Sequence, residues 1–300
     1  VSQPSTGTLL FVGCATLDSI ALVQDYPAAD SRTIATDFAT AGGGPAATAA
    51  VAAARAGADA AFAGVLGTDE EGDRIIAGLQ AEGVDTSAVL RDPGVKTGAS
   101  VIVVSKRSES RAIVTRPVPP VQFPTDGRFR ELLNAAAWVH ADHLGWNALA
   151  GIPNLNLSVD AGNPIPNFSP RGVALYVPTV ERLQAEYGGN LPVETLLQKA
   201  IDDGATAVVA TAGADGAWVK SASSEAVHVP ATPADIVSTL GAGDVFHGAL
   251  LAAVAAGLPL VDAAAYAGRI ASASCAGLDG RSAIPREIIT PVLASNHTPS

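Results

Sequence analysis

Short apolar runs alternate with helix-type stretches along most of this 300-residue chain, and no other feature limits its fold as strongly. "TLLFVGCA" (residues 8–15) is apolar and ends near a glycine, the pattern of a strand buried on both faces. "GGGPAATAAVAAARAG" (42–57) reads as a helix behind glycines, with Pro45 where a first turn tolerates it and Gly57 closing the run. "DAAFAGVLG" (59–67) returns to strand character. "DEEGDRIIAGLQAEG" (69–83) is helical again, with acids in its first turn and Gly83 beyond its end. "AAAWVHAD" (135–142), "NLSVDAG" (156–162), "GVALYVP" (172–178) and "ATAVVATAG" (205–213) are further buried-strand candidates. Alternation of this kind predicts an α/β fold with a mostly parallel central sheet flanked by helices.

Two patches break the order. Half-exposed, alternating segments occur around residues 32–38, and again in "GASVIVVS" (98–105) and "SRAIVTR" (110–116). Together they predict a small β-sheet lid with strands from about 19–40 and 97–117, attached to a single domain spanning 1–300. Residues 117–126 read as a connecting loop.

Composition narrows the function. A net charge of −11 and the lack of any basic run exclude a nucleic-acid groove, which needs clustered Lys and Arg. With 48% hydrophobic residues the chain can bury a large core. Its longest apolar stretch, 245–261, carries His247 and is broken by Gly257 and Pro259, so it reads as a core helix and a turn, not a membrane span. Cys14 and Cys275 are too few for a disulfide scaffold and are expected as buried free thiols. "VSQPSTGT" lacks the pattern of a signal peptide, and a cytoplasmic protein acting on small molecules is the expectation.

The most telling chemistry lies in "VSTLGAGDVFHGALLAA" (237–253), a nearly side-chain-free loop opening a helix with one carboxylate at its mouth. A helix N-terminus offers unpaired amides and partial positive charge, and Gly241, Ala242 and Gly243 let an anion approach those amides closely. Asp244 would repel a phosphate held there. That arrangement suits a base taking a proton from an attacking hydroxyl; the alternative is an acid that merely charges the helix start.

Two motifs settle the comparison. "STLGAGDVFHGALLAA" resembles the C-terminal signature of the PfkB/ribokinase family of carbohydrate kinases. "GGGPAATAAVAAARAGADAAFAGVLGTDEEGDRIIAGLQAEGVDTS" resembles its N-terminal signature, with motifs nearest to sulfofructose-kinase-like and fructokinase-like members. The resemblance implies a ribokinase-like fold and transfer of a phosphoryl group from ATP, with Mg2+, to a sugar hydroxyl. It implies that Asp244 is the base and that the amides of Gly241, Ala242 and Gly243 form an anion hole. It also implies that Asp18 grips the sugar, that Gly42 and Gly43 line its pocket, and that Thr211, Gly213 and Gly216 border ATP. The lid would close over the sugar and build a homodimer.

Departures from the family pattern are equally specific. Ser238 stands where the family usually has Asp, which puts a K+ site in question. Ala47 replaces a sugar-contacting Asn. The Asn-x-x-Glu motif near magnesium corresponds to "TVER" (179–182), where Arg182 cannot ligate a metal, so the metal ligands stay unassigned. The residues that clamp sulfonate in relatives fall on Arg32, Thr115 and Leu144, and only Arg32 is basic, although Arg116 adjoins Thr115. A neutral ketose-like or ribose-like sugar is therefore expected, with Arg32 as either a sugar contact or a solvated charge.

Remaining candidates read more plainly. His140 and His143 flank Asp142, but no third strong ligand is evident, so they read as pocket-lining or structural histidines. His247 reads as packing or as support for the site. Trp138, Trp146 and Trp218 read as core. The rivals to a sugar kinase are a nucleoside kinase, a silent sugar-binding regulator, and a dinucleotide-dependent oxidoreductase using Gly42 to Ala47 and Asp69.

Overall fold

The computed structural model describes residues 7–118, 122–123, 127–149 and 151–289. Its larger sheet runs from β4 (Ala60–Ala63) at one edge through β1 (Leu9–Val12), β9 (Trp138–Ala141), β10 (Leu157–Asp160), β11 (Leu175–Val177) and β12 (Ala207–Thr211). Every pairing in that series is parallel. Two antiparallel strands, β13 (Ala217–Ser221) and β14 (Val227–Val229), complete the far edge. The predicted parallel sheet is thus present, and its central strands are apolar on both sides because both faces are covered.

Strand alternation sorts those residues into two cores. Leu9 and Phe11 face a cluster with the helices α1 (Pro45–Arg55), α7 (Ala242–Ala255) and α8 (Leu260–Ser274), joined by α2 (Glu70–Ala81). Leu10 and Val12 face the opposite cluster, built on α3 (Arg128–Ala135), α4 (Trp146–Leu149), α5 (Val180–Tyr187) and α6 (Val193–Asp202). A short parallel pair, β5 (Val65–Gly67) and β6 (Leu90–Asp92), continues from β4. Trp138, Trp146 and Trp218 pack against these cores, as expected.

Helices α1 and α7 carry the two sequence motifs and lie against each other. The α1 face is almost all alanine, and a side chain at Gly248 would strike the Ala49 carbonyl, so the helices can approach only because both surfaces are small. That close packing brings residues about two hundred positions apart to one end of the sheet.

The lid is a four-stranded sheet in the order β3 (Asp37–Gly43), β2 (Thr16–Val23), β7 (Ala99–Ser105), β8 (Ser110–Arg116). β2 and β7 are parallel and the outer pairings antiparallel. Ile20, Leu22, Ile102 and Val104 form a small core on its inner face with Leu278. Phe38, Val101 and Val114 are exposed on the other side. One boundary differs from expectation: residues 24–36 form a loop, and the strand expected from about residue 32 begins at Asp37. A turn accounts for this, with Asp30 at a positive φ of 55° and the Ser31 amide bonded to the Ala28 carbonyl at 3.2 Å. Residues 119–121 and 124–126 of the expected connecting loop lie outside the described residues. Among the described residues no helix is long and apolar enough to cross a membrane.

Candidate active site

The loop before α7 turns on Gly241, whose φ of 72° is left-handed and favours glycine over any β-carbon-bearing residue. The turn leaves Gly241, Ala242 and Asp244 half-buried and Gly243 exposed. The Ala242 amide bonds back to the Thr239 carbonyl at 3.3 Å, whereas the Gly243 amide makes no hydrogen bond among the described residues. Of the three amides expected to hold an anion, that of Ala242 is therefore already engaged. Burial pushes the Asp244 carboxyl up to about 7; Asp160 and Asp142 add to the rise, and His247 and Arg281 oppose it. A half-buried acid titrating near neutrality beside a free amide is suited to accept a proton.

Asp18 comes from the second strand of the chain, at the base of the lid. It is buried, its Oδ1 has no hydrogen-bond partner, and burial raises its carboxyl, against the hydroxyls of Thr16 and Ser100 and the charge of Arg281. β3 runs antiparallel beside it, with Ala41 opposite Asp18. A β-carbon at Gly43 would collide with the Asp18 carboxylate, and one at Gly42 would collide with the Arg281 guanidinium. These glycines thus make room for two charged side chains.

Arg281 is the residue that sequence reasoning missed. It is 9% exposed, donates from Nε to Thr48 Oγ1 at 3.1 Å and from Nη2 to the Gly43 carbonyl at 2.9 Å. Burial lowers its guanidinium to about 10, opposed by Asp18 and Asp244. It therefore balances both acids electrostatically. The available signal was an arginine in "LDGRSAIP", among small and apolar residues that offer it no solvated helix face.

Behind Asp244 lies a second polar group. His140 on β9, Asp160 at the end of β10 and His247 on α7 are all buried, and His247 Nε2 is 3.3 Å from Asp160 Oδ1. Burial alone would raise Asp160, but His247 and the Gly162 amide hold it below the ordinary range. Asp160 in turn outweighs desolvation and keeps His247 above its usual value, while burial pulls His140 down to about 3. Of the two histidines read as pocket-lining or structural, His140 is fully buried in a central strand and only His143 lies in the following turn. Asp142 between them is architectural: its oxygens accept from the amides of Cys14 (2.7 Å), Ala46 (3.3 Å), Leu144 (2.9 Å) and Gly145 (2.9 Å). It ties the end of β1 to the start of α1.

The other sequence candidates occupy separate places. Thr211 ends β12 and is half-buried; Gly213 opens a short 3-10 turn and Gly216 closes it at a φ of 91°. That loop lies two strands from β10, about 10 Å at ordinary strand spacing. Arg32 is exposed in the loop between β2 and β3 and makes no hydrogen bond or ion pair among the described residues. Thr115 Oγ1 meets Ser100 Oγ at 3.1 Å, and Arg116 is paired with Glu71 at 3.1 Å. Ser238 is buried, and its Oγ accepts from the Leu240 amide at 3.2 Å. Arg182 sits in the first turn of α5, capped by Thr179. Asp69, the acid of the dinucleotide reading, is the N-cap of α2, and the Gly42 to Ala47 run leaves an antiparallel lid strand. That geometry is unlike a dinucleotide fingerprint, which follows a buried parallel strand.

The pattern of pfkB family carbohydrate kinases matches residues 7–162 and 169–286, and the chain belongs to that family. It is similar to ketohexokinase of Mus musculus, 27% identical over 292 residues that cover 91% of this chain and 97% of that protein. It is also similar to the bifunctional protein HldE of Trichlorobacter lovleyi, 25% identical over 266 residues, 79% of this chain and 52% of that protein. The chain thus spans about half the length of this longer relative. Among solved structures, ribokinase of Arabidopsis thaliana complexed with ribose and ATP superposes with a TM-score of 0.78 at 20% identity, over 95% of this chain and 96% of that one. That likeness shows the ribokinase-like fold.

Proposed function

We propose that this protein transfers the γ-phosphoryl group of ATP to a hydroxyl of a neutral sugar, ketose-like or ribose-like, with Asp244 as the base. The observation that carries the reading is the half-buried Asp244 carboxyl, raised to about 7, at the mouth of α7 beside the free Gly243 amide. The sugar hydroxyl gives its proton to the Asp244 carboxylate as its oxygen bonds to the γ-phosphorus, and the bond to the departing ADP oxygen breaks. The amides of Gly241 and Gly243 stabilise charge on the moving phosphoryl group. Asp18 orients the sugar through its unpartnered Oδ1, and Gly42 and Gly43 keep the pocket open. Thr211, Gly213 and Gly216 border the nucleotide on the neighbouring loop.

A neutral substrate follows from the charges. Arg116 is committed to Glu71, and Arg281 is balanced against Asp18 and Asp244, which leaves neither of these two free to answer a second anionic group on the sugar. Magnesium is expected with ATP, yet the residues do not fit a protein-held magnesium ion: Arg182 replaces the expected glutamate. The three-ligand cluster of His140, Asp160 and His247 is dominated by nitrogen, where magnesium prefers oxygen. The exposed Phe38, Val101 and Val114 suit a homodimer formed lid to lid.

The test is ATP consumption across ketoses, aldoses, their 6-phosphates and nucleosides. Turnover with a neutral sugar supports the reading. Preference for a nucleoside or a sugar phosphate contradicts the substrate assignment, and the absence of turnover across the whole panel points to a silent sugar-binding protein.

A further inference from the structure

Three buried side chains from distant parts of the sequence meet between the sheet and α7. β9 and β10 are in parallel register with Ser158 opposite His140, so His140, Ser158 and Asp160 share one sheet face by strand alternation. Phe11, aligned with His140 on β1, belongs to the core packed on α1 and α7, which fixes that face as the one turned toward α7. His247 projects from α7 onto the same spot, with its ring centroid 5.5 Å from that of His140. Exposures of 0%, 5% and 6% for His140, Asp160 and His247 remove them from bulk water.

Their hydrogen bonding is incomplete. His140 Nδ1 meets Ser158 Oγ at 3.1 Å, leaving His140 Nε2 buried with no partner. His247 Nδ1 is likewise buried and unpartnered. An orphaned buried nitrogen is costly, and His140 Nε2 is the one that a ligand shared with His247 Nε2 and Asp160 would satisfy. One ligand atom from each of the three residues lies within 4.8 Å of the others.

We propose that His140, Asp160 and His247 bind one first-row transition-metal dication of the zinc type. Two imidazoles and one carboxylate are a donor set suited to such ions and poorly suited to magnesium. A tetrahedral ion with ligands at ~2.1 Å holds them ~3.4 Å apart, so the 3.3 Å between His247 Nε2 and Asp160 Oδ1 already fits, and His140, within 4.8 Å of both, closes the remaining distance when the ion binds. The supporting contacts are those that metal ligands usually have: Ser158 Oγ fixes the far nitrogen of His140, and the Gly162 amide bonds Asp160 Oδ1 at 2.8 Å. One metal charge would replace the proton that His247 now shares with Asp160. The site lies one helical turn from Asp244, yet its existence does not depend on which sugar is phosphorylated, or on phosphorylation at all.

The experiment uses the full chain, stripped with a chelator and then titrated with Co2+ or Zn2+. Wild-type protein is expected to retain one Zn2+ per chain after dialysis, to show a visible Co2+ d–d band and to melt at a higher temperature with Zn2+ than without. His247→Gln and His140→Gln, each checked for native circular dichroism, should lose the band and the Zn2+-dependent melting shift, while Arg182→Ala keeps both. A wild-type protein with no band and no retained Zn2+ overturns the proposal without reference to any variant. Retention undiminished in folded His140→Gln or His247→Gln overturns it as well.

Discussion

Two glycine runs, each just ahead of a helix, invite comparison. Gly42 and Gly43 end a lid strand before α1, and Gly241 and Gly243 open α7. They look alike in sequence, but the first pair clears space for other residues' charges: β-carbons there would occupy the positions of the Arg281 guanidinium and the Asp18 carboxylate. The second pair presents its own backbone, through a left-handed turn at Gly241 and a free amide at Gly243. One run is needed for what its neighbours do, and the other for its own nitrogen atoms. Substitutions should therefore fail in different ways at the two places.

The largest effect is expected at Asp244, where Asp244→Asn should lower kcat by about 10³-fold with little change in ATP affinity. The same variant should be more heat-stable than wild type at pH 8. The folded pKa of about 7 lies above the unfolded value near 4, so the native state loses stability as pH rises between the two, and the amide escapes that loss. Thermal melts at pH 5 and pH 8 check it; an equal or lower melting temperature at pH 8 contradicts the burial of this acid.

Gly43→Ala should act through Asp18, raising the sugar KM by about 10- to 100-fold, as should Asp18→Ala, with a smaller loss in kcat. Steady-state kinetics on the two variants and their double mutant sharpen the comparison: the double should be no worse than Asp18→Ala, because both act on one carboxylate. Additive losses would separate Gly43 from Asp18. Arg281→Met removes a positive charge that lowers Asp244, so the acidic limb of the rate profile should move to higher pH. An unmoved limb would detach Arg281 from the base. The smallest effects are expected at Arg32→Ala, with a less than about twofold change in KM for a neutral sugar, and on replacing potassium with a bulky organic cation, because Ser238 offers no carboxylate and its hydroxyl is engaged with Leu240.

Much of the fold was legible because its signals are local. Uniformly apolar strands mark the parallel sheet, alternating ones the lid, and Pro45 and Gly57 bracket α1 near its observed ends. Asp244 was a candidate because it stands in a motif that can be read in one stretch of chain, and Asp18 because the family resemblance implied it. Arg281 was not, since its meaning arises only when it reaches across to Thr48 and Gly43, more than two hundred residues away. The His140, Asp160 and His247 cluster is likewise a product of strand order, and the near repeat of His140 and His143 gives no sign of it. Arg32 shows the opposite limit: its strand-like neighbourhood was overridden by a turn at Asp30 and Ser31.

The most direct measurement is the single-turnover rate of phosphoryl transfer in wild-type protein as a function of pH. With Asp244 as the base, the rate should climb about tenfold per pH unit and level off above about 7. A rate that stays flat from pH 5 to pH 8 would contradict proton abstraction by that carboxylate.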